Sequence, residues 1–304
     1  MSHRSITIFI LAVLCIRGSF ADEPKSDKPA EPLPEVFSPP PFEVPPGFTV
    51  EVAASTPLVK HPIMAGFDDK GRLYVAESAG MNLPRVDLEK QLPNGIVRLE
   101  DTDGDGKFDK QTVFADKMTF PQGALWHDGS IYAASSGGIW KLTDHNDDGV
   151  ADERRLLVSK FGYTGNAADV HGCFLGPDGR IYWCEGRHGH EITDKDGKLI
   201  SKGKAARVFS CKTDGSDVQV FAGGGMDNPV EVDWTEEGEM LGTANIFYQK
   251  RGDTLVHWVR GGVYPRLDQP DCLAEFRRTG EPLDAVHDFG HVAVFEARPV
   301  GRQV

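Results

Sequence analysis

Four copies of one short pattern limit what this chain can fold into: strand-like residues, a tight acidic-Gly turn, and strand-like residues again. They are Gly66–Ser78 (GFDDKGRLYVAES), Leu125–Ser136 (LWHDGSIYAASS), Leu175–Gly186 (LGPDGRIYWCEG) and Trp234–Asn245 (WTEEGEMLGTAN). Glycine at the turn supplies the positive φ that a tight hairpin needs. The turn glycines Gly71, Gly129, Gly179 and Gly238 stand 58, 50 and 59 residues apart. A second hairpin follows each: GIVRLE–loop–KQTVFAD, GIWKLT–loop–ERRLLVSK, RVFSC–KTDGSD–VQVFAGG, and LVHWVRGGVY in the fourth. Two hairpins make four strands, one of whose faces must be covered by the next repeat, which is the unit of a propeller. The expected fold is therefore all-β, a β-propeller of four-stranded blades of the six-bladed type. The 34 glycines and 20 prolines, with no long helical periodicity, agree.

The third-to-fourth strand loops of the first two blades carry the most chemistry. In the first, Asp101, Asp103, Asp105 and Asp109 occupy loop positions 1, 3, 5 and 9, with Gly106 at 6. Hard oxygen ligands at that spacing, around a glycine that permits a sharp turn, are what a calcium ion needs. The second repeats the design with Asp144, Asn146, Asp148 and Asp152 around Gly149. Position 12, normally a bidentate Glu, is Thr112 or Arg155, so the expectation is weak, structural calcium binding suited to millimolar concentrations outside the cell. A solvated acidic turn is the plainer alternative for both loops, and TDKDG with Asp194 and Asp196 reads as a turn.

Net charge is −13, and part of it lies in those two loops. Nucleic acid wants basic surface, so no nucleic-acid partner is expected, although bound cations would offset the local charge. The N-terminus reads as an export signal over residues 1–21: His3 and Arg4, an apolar run Ile6–Ile16, and Ser19-Phe20-Ala21 before a cleavage point. That run is too short to span a bilayer, and no later stretch reads as transmembrane. Residues 22–46 are a proline-rich linker, and residues 47–304 the propeller, with FTVEVAA (Phe48–Ala54) reading as a strand and Val286–Phe295 as a partial fifth blade. That blade count points to a piece of a longer propeller. Cys173, Cys184, Cys211 and Cys272 could form one disulfide in an oxidising compartment or stay buried thiols. No Cys-x-x-Cys-His occurs, so no haem attachment motif is present. Trp126, Trp140, Trp183, Trp234 and Trp258 fall on strands and read as packing between blades.

HPIMAGFDDKGRLYVAES, the DTDGDGKFD loop followed by VFAD, HGCFLGPDGRIYWCEGRHG and GGVYPRLDQPDCLAEFRRTG together resemble a known group. They look like the N-terminal propeller of the exported membrane-bound dehydrogenase-type (haem-binding) proteins of Planctomycetes and Verrucomicrobia. That propeller is in turn similar to the glucose/sorbosone dehydrogenase, or soluble quinoprotein, family. The resemblance runs from about Pro45 to Ala293. It implies calcium, pyrroloquinoline quinone (PQQ), a His general base at the propeller mouth, and a sugar or alcohol substrate. Family members usually carry a haem domain as well; without one, electrons need an external acceptor. The base implied here is His171, shortly before Gly176-Pro177-Asp178. Its neighbours Asp169, Glu185, Arg187, His188 and His190 are polar and sit where a strand meets the axis. A His of ordinary pKa can take a proton from an alcohol, and the planar fork of Arg187 can hold a quinone carboxylate. His190 and Asn228 are further candidate cofactor contacts, although Asn228 and Asn245 can equally cap turns. His188, His190 and Glu185 offer a metal-site alternative. The competing functional reading is a non-catalytic propeller whose mouth recognises a glycan or a protein.

Overall fold

The computed structural model describes residues 41–165, 168–194, 196–226, 228–245, 254–262 and 264. The expected export signal, most of the expected linker, Cys272 and the expected fifth blade lie outside the described residues.

Blade one is a meander of β1 (Pro62–Phe67), β2 (Leu73–Glu77), β3 (Asn94–Glu100) and β4 (Lys110–Met118), with α1 (Arg85–Gln91) inserted between its second and third strands. Blade two repeats it with β5 (Leu125–His127), β6 (Ser130–Ser135), β7 (Gly138–Thr143) and β8 (Glu153–Ser159). Blade three consists of β9 (His171–Leu175), β10 (Ile181–Cys184), β13 (Ala206–Cys211) and β14 (Gln219–Met226). A separate ribbon, β11 (His190–Thr193) with β12 (Leu199–Gly203), interrupts it. Blade four shows β15 (Asn228–Trp234), β16 (Met240–Asn245) and β17 (Thr254–Trp258). All pairings are antiparallel. The innermost strands β1, β5, β9 and β15 touch in succession, as the inner edge of a propeller requires.

The four turn glycines all have positive φ, between 74° and 87°, at the β1–β2, β5–β6, β9–β10 and β15–β16 turns. The period in the sequence is thus the period of the blades. KTDGSD is the tight β13–β14 turn, closed by Gly215 N–H to the Lys212 carbonyl at 2.9 Å. Asp194 and Asp196 lie in the β11–β12 turn. The five tryptophans sit on β5, β7, β10, β15 and β17, as expected. A recurrent aromatic set seals the seams. Tyr74 meets Phe114 edge-on at 5.0 Å between ring centroids, and Tyr182 meets Phe221 at 5.7 Å and Trp234 at 5.1 Å. Trp183 is fully buried, stacked on Phe209 at 5.7 Å and edge-on to Phe161 at 6.2 Å. The described cysteines, Cys173, Cys184 and Cys211, are free and buried, so the thiol alternative describes these three.

Phe48–Ala54 is not a strand. The alternation suits one, but no described strand lies beside it to complete a ladder. It packs instead on blade one: Ala53 and Ala54 cover Val75, Val97, Leu99 and Phe108, and the Phe108 amide donates to the Ala53 carbonyl at 2.8 Å. The corresponding bond one blade later runs from the Ala151 amide to the carbonyl of Phe114 in β4, also at 2.8 Å. Residue 53 therefore stands where the outer strand of a preceding blade would stand. No described helix is long and apolar enough to cross a membrane.

Candidate functional site

Antiparallel blades divide the propeller into two ends. The first-to-second and third-to-fourth strand turns, including both acidic loops, lie at one end; the chain enters each inner strand at the other. His171 is the first residue of β9 and Asn228 the first of β15, so their blades bring them to the same axial end. His171 Nε2 lies 2.9 Å from Asn228 Oδ1 in a fully buried contact. Asn228 therefore opens a strand and meets a histidine of the preceding blade. The approach of backbones here is close: Gly172 N–H donates to the Gln122 carbonyl at 2.8 Å, and Gln122 Nε2 reaches the Val170 carbonyl at 3.3 Å.

Asp169, two residues before His171, is completely buried. Its carboxylate accepts the amides of Thr164 and Gly165 at 2.8 Å each and the Ser136 hydroxyl at 3.2 Å. Helix α1 leans on that turn. Leu88 packs so tightly that a methyl group on Gly165 would sit 2.5 Å from it, while Tyr163 donates to Glu89 and stacks under Arg85. Burial lowers the pKa of His171; Asn228 and Asp169 oppose the shift without reversing it. The imidazole is neutral at neutral pH.

A second buried group lies alongside. His190 Nδ1 is 2.6 Å from Glu185 Oε1, and its Nε2 is 2.8 Å from Ser201 Oγ on β12. Burial, helped by the charge of Arg207, pushes this imidazole down to about 3. A neutral ring donates from one nitrogen and accepts at the other, which suits a carboxylate on one side and a hydroxyl on the other. His188 does not join it. Its Nε2 lies 3.7 Å from Asp169 Oδ1, on the other side, so the metal alternative of His188, His190 and Glu185 is not assembled. Arg187 is exposed, three residues beyond Cys184, the register partner of His171. The β11–β12 ribbon that completes the His190 site was not evident in the sequence; the one signal was the short TDKDG turn between apolar residues.

The acidic loops lie at the opposite end, apart from the polar axial cluster. In the first, ligand oxygens of Asp101, Asp103 and Asp105 approach within 4.8 Å of one another, while Asp109 holds the Thr102 amide and hydroxyl at 3.2 and 2.6 Å. The second reproduces its bonds at the same offsets: Gly149 N–H to Asp144, Asp148 N–H to Asn146, Val150 N–H to Asp148 and His145 N–H to Asp152, between 2.7 and 3.0 Å. An oxygen-only donor set on a tight loop fits a hard cation such as calcium.

Residues 38–258 match the family model described as "Domain of unknown function (DUF7133)". The chain belongs to this family. No functionally curated protein matches the sequence significantly. Solved propellers are similar in fold at low identity. The PQQ-bound aldose sugar dehydrogenase of Streptomyces coelicolor is 14% identical, with 75% of this chain and 68% of that one covered and a TM-score of 0.47. A Trichoderma reesei enzyme of carbohydrate-active family AA12, solved with calcium, is 16% identical over 72% of this chain and 61% of that one, TM-score 0.47. The PQQ domain of pyranose dehydrogenase from Coprinopsis cinerea is 16% identical over 66% and 51%, TM-score 0.45. The chain thus spans less than two thirds of the length of two of these three.

Proposed function

We propose that this is an exported propeller that oxidises a sugar or alcohol at its axial end, using a quinone cofactor and passing electrons to an external acceptor. One observation carries the reading: a neutral, buried histidine is held by Asn228 next to a buried carboxylate at the end where the inner strands begin. With Nε2–H donating to the Asn228 carbonyl oxygen, the lone pair of His171 is on Nδ1, the atom that would take the hydroxyl proton. Asp169 fixes the 163–165 turn beside it and supplies negative charge that favours the protonated ring. A carboxylated quinone such as PQQ asks for a cation and amide donors, which Arg187 and Asn228 offer in kind; bound there, it would supply the two-electron acceptor. His190, with both ring nitrogens taken by Glu185 and Ser201, would hold the 185–190 segment in place without touching the cofactor. Calcium on the Asp101–Asp109 loop would have a structural role at the far end.

A second reading has its own support. His171 is only 3% exposed, which suits a buried structural polar pair under a mouth that binds a glycan or protein without chemistry. The two separate in one assay: purified protein with PQQ and calcium, dye reduction followed over a panel of sugars and alcohols. The redox reading expects substrate-dependent reduction; none over the panel, with no PQQ retained, leaves the binding reading.

A further inference from the structure

Among the described residues α1 is the one α-helix, and it touches the ring far from its own blade. The stem of its insertion is closed by the buried Asn94, which accepts the Ala79 amide at 2.7 Å and donates to the Thr119 carbonyl. From there α1 reaches past blade two to the segment that leads into blade three. Leu88 packs on Gly165 of that segment, and Tyr163 donates to Glu89, which Arg85 also holds at 2.9 Å. The Arg85 guanidinium lies 4.1 Å from the centre of the Tyr163 ring. The same ring lies against Gly137, where a Cβ would come within 2.9 Å of it. Gly137 belongs to the β6–β7 turn, so blade one, blade two and the lead into blade three meet at Tyr163.

The same turn and the same segment hold Asp169. One carboxylate oxygen accepts the hydroxyl of Ser136, next to Gly137, at 3.2 Å and the Gly165 amide at 2.8 Å. The other accepts the Thr164 amide at 2.8 Å. Each of these donors is touched by α1 or adjoins a residue that Tyr163 touches or Tyr163 itself. Asp169 is wholly buried, stands two residues before His171, and its charge reaches that ring. Moving Tyr163 therefore moves the donors of Asp169, and Asp169 sets the surroundings of His171. The contact at Tyr163 itself faces solvent, since the side chains of Arg85 and Glu89 are 53% and 43% exposed. Exposed pairs of that kind add little to global stability, so the effect of this one is local.

We infer that Tyr163 is a positioning residue for His171, held by Arg85, Leu88 and Glu89 of α1 and acting through the Thr164–Gly165 turn and Asp169. Blade one thereby fixes the blade-three side of the axial end across blade two. The inference rests on the redox reading only in taking His171 as the working residue of that end, and its test needs no turnover.

Diethyl pyrocarbonate, which acylates neutral imidazoles that solvent can reach, tests it in the whole protein. Peptide mass spectrometry reads His171 and His190 in one digest. His190 is the internal standard, nearly as buried but bonded to Glu185 and Ser201. Tyr163→Phe keeps the ring and removes only the hydroxyl. It should speed labelling of His171 roughly fivefold, the factor that one hydrogen bond puts on a local opening, with His190 and the denaturation midpoint unchanged. Glu89→Ala should do the same, and Glu89→Gln, which keeps an acceptor oxygen for Tyr163, should restore the parent rate. Unchanged labelling of His171 in Tyr163→Phe would overturn the proposal. So would His171 and His190 rising together with a lowered midpoint, the mark of general loosening, or Glu89→Gln labelling as fast as Glu89→Ala. A protein that reduces no dye yet labels as expected would lose the redox reading and keep this one.

Discussion

Adding one methyl group at Gly123 tests whether the inner strands meet as closely as described. Gly123 needs no special backbone angle; what excludes a side chain is its neighbour. A Cβ there would lie 1.6 Å from the Gly172 carbonyl oxygen and 2.2 Å from its carbon, where ordinary van der Waals contact begins at 3.4 Å. Both partners are backbone, so no side chain can swing away. The strands must part by well over an ångström, which strains the Gly172 to Gln122 hydrogen bond beside it. Overpacking of this kind costs about 1–3 kcal/mol, and losing the bond about 1 more, so Gly123→Ala should destabilise by roughly 2–4 kcal/mol. Gly129→Ala is the control. It has φ 74° and nothing within 4 Å of its Cβ, so it should cost only about 1–2 kcal/mol of left-handed backbone strain. Guanidinium denaturation followed by tryptophan fluorescence would measure both. If Gly123→Ala stays within about 0.5 kcal/mol of the parent, or Gly129→Ala is the worse of the two, the close approach that places His171 beside Asn228 is mistaken.

Trp183→Ala removes a wholly buried ring from the stack on Phe209 and should cost about 3–5 kcal/mol; Val86→Ala on the exposed side of α1 should change the denaturation midpoint little. Acid should weaken the fold well before the carboxylates titrate. His190 falls from 6.5 to about 3 on folding, so below pH 6.5 the unfolded chain binds the extra proton and stability is lost as pH falls. From pH 6.5 to 5 that amounts to about 2 kcal/mol from His190, with His171 adding in the same direction. His190→Gln should flatten the slope between pH 7 and 5, and an unchanged slope would mean the buried imidazole is not what titrates.

The architecture was legible because glycine is the residue that turns at positive φ without strain. Gly71, Gly129, Gly179 and Gly238 therefore printed the blade period directly into the sequence. The acidic loops were legible for a related reason: a ligand spacing is local, and the bonds made by the carboxylates and amide at the ligand positions span at most seven residues. The axial site was only partly readable. Order along the chain brought Asp169, His171 and Glu185 near one another, but the partner of His171 is Asn228, a whole blade later, and no local pattern announces a contact across blades. His190 looked like a mouth residue. The β11–β12 ribbon, whose short strands have weak alternation, instead covers it with Ser201. Phe48–Ala54 shows the opposite failure, since alternation reports a strand's side chains and says nothing of whether a partner strand is there.

Catalysis as proposed depends on His171, at the axial end, taking a proton from a substrate hydroxyl beside a bound quinone. The most direct measurement compares the parent protein with His171→Gln, both incubated with PQQ and calcium and freed of excess cofactor. Retained PQQ is read by absorbance and dye reduction by rate, with the best substrate of the panel. A general base at His171 predicts similar cofactor retention in both proteins and a rate lower by roughly two orders of magnitude or more in the variant. Equal rates in the two proteins would contradict it.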